Sequence, residues 1–132
     1  MKFTRATSYA LHALVHMSAQ KDNRPMPSHL VAQDRGIPER FLLKVLKPLV
    51  SAGVLHSVKG PNGGYRLAKT PDKITLLEVI EAVDGPIQGQ AFFEGQDAKA
   101  LQKKMQALCN QAAESVRRQY QKVRISDLLG KM

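Results

Sequence analysis

Apolar residues recur at helical spacing along most of the chain, and the breaks in that rhythm divide it into elements. Ala6, Ala10, Ala13, Leu14 and Met17 stand three and four apart, so residues 4–19 read as an amphipathic helix with Thr4 as its N-cap. The polar, proline-ended run from Lys21 to Pro25 is a loop. A short helix follows at 27–35, with Pro27 in its first turn and Gly36 just past its end. A third helix begins near Pro38. Leu42, Val45, Leu46 and Leu49 form its apolar face, and Arg40, Leu43, Lys44, Lys47 and Ser51 the opposite one. Gly53 ends it. Pro48 lacks a backbone donor and its ring crowds the Lys44 carbonyl, so a kink or an early end is expected there.

Beyond the third helix the period changes. Val54 to Lys59 is rich in β-branched and apolar residues, and Tyr65 to Lys69 alternates. Gly60-Pro61-Asn62-Gly63-Gly64 between them is turn chemistry, so the pair should form a β-hairpin. Ile74 to Asp84 is again amphipathic, with Leu76, Leu77, Val79, Ile80 and Val83 for burial and Gly85-Pro86 as its stop. Residues 86–96 read as an irregular loop in which Phe92 and Phe93 anchor the chain to the core; lining an effector pocket is their alternative role. Residues 97–123 read as one long helix striped by Leu101, Met105, Leu108, Ala112, Val116, Tyr120 and Val123, with a short turn at 125–129 after it. The fold expected is mainly α with one small β-hairpin: a winged helix-turn-helix over 1–85, a loop over 86–96, and a dimerisation helix with a C-terminal turn over 97–132.

Charge sharpens this picture. Of 132 residues, 20 are basic and 11 acidic, a net +9. Residues 1–69 carry 11 basic and 3 acidic side chains, whereas 70–132 carry 9 and 8, so the surplus lies almost wholly in the first half. That asymmetry suits a polyanion-binding half joined to a neutral one; a solubility device is the plainer reading. The third helix has matching chemistry. Arg40, Lys44 and Lys47 point away from its aliphatic face, where Arg and Lys can reach base edges in a major groove. Lys59 sits at the mouth of a glycine-rich turn whose backbone, Gly60, Asn62 and Gly63, can lie near phosphate.

Other functions find little support. The chain shows no nucleophile–base pair, phosphate loop or carboxylate dyad, so it is not read as an enzyme. No apolar run of membrane-span or signal-peptide length occurs, and a cytoplasmic protein without a membrane partner is expected. His12 and His16 have zinc-helix spacing but no third ligand. Cys109, the single cysteine, reads as a small apolar helix residue.

In Tyr9-Ala10-Leu11, Gly36-Ile37-Pro38, Ala52 to Leu55, Val58 to Tyr65, Ile74 to Ile80 and Ala82 to Gly85, the chain resembles the Rrf-two (BadM-like) family of bacterial transcription regulators. The resemblance covers about residues 1–87, and the wing motif is its most specific part. It implies a homodimer joined through the long helix and bound to a near-palindromic DNA operator. By position it puts Arg40 and Lys44 on the recognition helix, flanked by Pro38, Glu39, Leu43 and Lys47, puts Lys59 in the wing, and makes Tyr9 and Ser28 phosphate contacts, with Arg5 also expected at the DNA. The dimer has separate support. A helix of 27 residues exposes a stripe that a small domain cannot cover, and Leu101, Met105, Leu108, Ala112, Val116 and Tyr120 would meet a two-fold partner. Many family members carry three cysteines before the long helix that bind an iron–sulfur cluster. Residues 86–106 here contain none, so no cofactor is expected. The sequence leaves open an effector or partner protein, including a role in which the fold regulates an enzyme by binding it.

Overall fold

The computed structural model describes residues 2–96 and 98–130. Helix α1 (Arg5–Ser18) starts at Thr4, whose Oγ1 accepts the Thr7 N–H at 3.1 Å. Both the Thr4 hydroxyl and that of fully buried Thr7 donate to Asp84 Oδ2, each at 2.7 Å. A buried hydroxyl without a partner costs about 1–3 kcal/mol, so this carboxylate explains a threonine on the inner face of α1.

Helix α2 (Ser28–Arg35) ends at Gly36, whose φ of 66° is the left-handed cap that lets the Ile37 N–H reach the Ala32 carbonyl at 2.9 Å. Helix α3 (Glu39–Ser51) follows directly, with Leu42, Val45, Leu46 and Leu49 buried. Of the two outcomes expected at Pro48, an early end does not occur, because α3 runs through it to Ser51. Pro48 stands one turn from the end and frees only the carbonyl of exposed Lys44, which water can satisfy, while buried Leu46 and Leu49 fix the chain on both sides. The core joins these residues to Ala10, Ala13, Leu14, Val31, Val54, Leu55 and Ile74.

The hairpin pairs β1 (Leu55–Val58) with β2 (Gly64–Leu67), Leu55 opposite Leu67 and Val58 opposite Gly64. The loop before α2 serves as a partial third strand. Met26 and Tyr65 exchange backbone hydrogen bonds at 2.8 and 2.9 Å, and the Asn23 carboxamide bonds the Leu67 carbonyl at 2.8 Å and its N–H at 3.2 Å. Helix α4 (Leu76–Asp84) begins with a reciprocal capping box between Thr75 and Glu78. A returning segment seals it: the Leu76 N–H bonds the Val123 carbonyl at 2.8 Å, the Ile125 N–H bonds the Ile74 carbonyl at 2.9 Å, and Ile125, opening α6 (Ile125–Leu128), is fully buried.

Helix α5 (Ala98–Gln121) carries no buried residue. Its expected first residue, Asp97, lies outside the described residues, as do Met1, Lys131 and Met132. Its C-terminal end is docked on the domain, where Arg117 pairs with Glu81 and Tyr120 meets Phe3 at 5.7 Å between ring centroids. Its N-terminal half is accompanied by residues 86–95. There the Gln106 carboxamide accepts the Ala91 N–H at 3.1 Å and donates to the Gly89 carbonyl at 2.7 Å, while Gln102 accepts the Phe93 N–H at 2.9 Å and donates to the Ala91 carbonyl. Side-chain amides one turn apart thus imitate a neighbouring strand. Gly89 is obligatory, since a Cβ there would stand 2.4 Å from the Cys109 backbone. Phe92 and Phe93 do not anchor this strap to the core: they are 81% and 37% exposed, because the glutamine ladder already holds the backbone. No helix among the described residues is long and apolar enough to cross a membrane.

Candidate nucleic-acid interface

The outer side of α3 presents Arg40, Lys44 and Lys47 to solvent, as the helical period requires. Arg40 Cζ lies 4.7 Å from the centroid of the Phe41 ring, and Lys44 Nζ lies 5.6 Å from it. Phe41 also lines a cleft of about 210 Å³ between α1 and α3 with Arg5, Ala6, Tyr9, Lys44 and Val45. The fold therefore brings Arg5, Tyr9 and Lys44 together from two helices. Pro38 is the N-cap of α3 and Glu39 its first residue, an acid placed where the helix dipole favours one and an anion would be repelled. Leu43, expected on the outer side, is half-buried and packs against the core, as Leu43 lies at the border of the apolar face beside Leu42.

Lys59 is exposed at the start of the wing turn, which closes through the Gly63 N–H and the Gly60 carbonyl at 3.0 Å. Gly60 and Asn62 are exposed. The need for glycine at 63 is internal: a Cβ there would stand 2.1 Å from the Val58 carbonyl oxygen. Ser28 opens α2 and is half-buried, two residues beyond the Met26 bridge that fixes α2 to the wing. Sequence reasoning missed three residues that shape this face: Phe41, Asn23 and Met26. Phe41 carried a signal, an aromatic with a cation at the preceding position and another three residues on.

The residues offer little to an iron centre. Among the described residues no three of His, Cys, Asp and Glu come together. The Cys109 Sγ lies 3.7 Å from the Gln90 carbonyl beneath the strap. His16 Nδ1 accepts from Arg35 at 3.2 Å and its Nε2 lies 3.2 Å from Asp34, so both ring nitrogens have neighbours. A donor set with one thiol does not fit a cluster held within one chain.

The family model described as Rrf2, iron-dependent transcriptional regulator, matches residues 3–131. The chain belongs to the Rrf2 family. A putative HTH-type transcriptional regulator of Aquifex aeolicus is 44% identical over 81 residues, spanning 61% of this chain and 56% of that protein. The regulator IscR of Aliivibrio salmonicida is 37% identical over 84 residues, spanning 64% of this chain and 50% of that protein. In structure, the global cysteine regulator CymR of B. subtilis superposes with a TM-score of 0.77 at 24% identity, covering 98% of this chain and 96% of that one. That likeness confirms the winged-helix fold expected from the alternation of helical and hairpin signals.

Proposed function

We propose that this Rrf2-family chain is a sequence-specific DNA-binding regulator that acts as a homodimer on a near-palindromic operator, without an iron–sulfur cluster. The observation that carries the DNA reading is the face of α3. Arg40 and Lys44 stand there without an acidic partner among the described residues, beside a cleft edged by Arg5 and Tyr9. Unneutralised cations on the second helix of a helix-turn-helix suit major-groove base edges, and the exposed wing Lys59 suits the backbone. The near-palindrome follows from two-fold symmetry, which repeats the helix and wing on both half-sites.

The test uses a duplex that the protein itself selects from a random-sequence pool, beside its scrambled counterpart. Arg40→Ala should cost about 1–3 kcal/mol on the selected duplex and narrow the gap between the two sequences. Lys59→Ala should weaken both alike and reduce the salt slope by about 1. Equal weakening of both duplexes by Arg40→Ala would make Arg40 a backbone contact.

The absence of a cluster rests on ligand count, three or four strong ligands being needed where one chain offers the Cys109 thiol. Protein purified without oxygen should be colourless, and its DNA binding indifferent to iron depletion. Stoichiometric iron and acid-labile sulfide would overturn this and point to a cluster bridging two Cys109 residues.

A further inference from the structure

We infer that Phe41 is a positioning residue for DNA readout: its ring holds Arg40 and Lys44 poised to meet base edges while leaving both fully charged. The inference rests on the DNA reading above and adds a residue to it. Three observations support it.

First, one half-buried ring serves two cations, with Arg40 Cζ at 4.7 Å and Lys44 Nζ at 5.6 Å from its centroid. Both distances are within the reach at which a ring quadrupole attracts a cation. Second, Arg40 and Lys44 are four residues apart on one helix, where like charges repel. Unrestrained, these long side chains would splay apart and sample many rotamers, and ordering them on DNA would then cost affinity. Third, no acid holds Arg40 or Lys44 among the described residues, whereas Lys69 is held by Glu78, Arg117 by Glu81 and Arg24 by Asp22. A carboxylate on the reading face would orient these side chains but cancel their charge and repel phosphate. An aromatic ring orients them without neutralising them. The partly buried setting of Phe41 in the cleft between α1 and α3 fixes the ring itself.

Phe41→Leu keeps an apolar side chain and removes the ring; Phe41→Tyr keeps the ring. In free protein, the ordering of the Arg40 Nε–H group, read by NMR relaxation, should fall in Phe41→Leu and persist in Phe41→Tyr. This readout needs no DNA, so it stands even if the DNA reading fails. On DNA, the ratio of affinities for the selected and scrambled duplexes should drop about three- to tenfold in Phe41→Leu and recover in Phe41→Tyr. The salt slope should stay unchanged, because no phosphate contact is removed. A merely structural role would lower the melting temperature and weaken both duplexes alike, leaving the ratio intact; that result overturns the proposal. So does unchanged ordering of Arg40 in Phe41→Leu. If the wild-type protein shows no preference between the duplexes, the DNA reading fails instead, and the NMR comparison alone decides the ring's role.

Discussion

At Gly64 the backbone has a φ of +144°, and a Cβ would stand 2.3 Å from the Met26 carbonyl oxygen, in the bridge that ties the wing to the start of α2. Gly64→Ala must therefore strain the backbone and part the two Met26–Tyr65 hydrogen bonds. The expected loss is about 2–4 kcal/mol, read as a melting-temperature drop on the order of 10 °C. A variant that melts like the parent would show that the hairpin can shift away from Met26 without cost. The sequence announced glycines here, but only as turn formers; which neighbour forbids a side chain depends on a strand partner 38 positions away, outside any local pattern. The same limit explains the outer face of α3. Arg40, Lys44 and Lys47 were legible because helical spacing fixes the side on which each stands. Phe41 and Leu43 lie at the border of the apolar face, where spacing alone does not decide between core and surface.

Among the elements, the amphipathic helices and the hairpin were readable because each has its own period, and the capped start of α4 shows how local chemistry sharpens a boundary. Burial raises the Glu78 carboxyl, but the hydrogen bond from Lys69 and those from Thr75 outweigh it, so its pKa lies below the ordinary value of 4.5. A depressed folded pKa stabilises the fold above that ordinary value, and the contribution is lost as the pH falls through the lower folded one. Thermal melts from neutral pH into the acid range should show this loss, and Glu78→Gln should be destabilised at neutral pH, by about 1 kcal/mol, with a shallower decline towards acid. Parallel curves for the two proteins would remove Glu78 from the acid response. The strap over 86–95 was not readable in the same way. Gly89, Ala91 and Phe93 make their hydrogen bonds to glutamine side chains rather than to a ladder, and Gln102 and Gln106 look like any polar helix surface until the loop lies against them.

For the whole molecule, the decisive feature is the division of α5 into two faces. Gln102, Gln106, Cys109 and Arg117 face the strap and α4. Beside that face runs the apolar stripe, in which Leu101 is 47% and Leu108 56% exposed, Ala112 is exposed, and Met105 and Val116 are half-buried. Tyr120, counted with this stripe from its spacing, meets Phe3 of its own chain, so the stripe is partly covered at its C-terminal end and open towards its N-terminus. A helix of 24 residues is about 36 Å long, enough for the side of its N-terminal half that the strap leaves open to cross a second copy. Burying Leu101 and Leu108 between two copies would remove apolar surface from water four times over, at about 1.5–3 kcal/mol for each side chain fully buried, before association costs are met. Leu108→Asp would instead place an unpaired carboxylate at that contact, at a cost on the order of several kcal/mol. Because Leu108 touches little within its own chain, the variant should retain its helical circular dichroism. Sedimentation at micromolar concentration should show monomer or aggregate in place of dimer, and binding to the selected duplex should fall with it, since one wing and one recognition helix would then meet a single half-site. A Leu108→Asp protein that sediments as a dimer of unchanged affinity would mean that the two copies meet through a different surface.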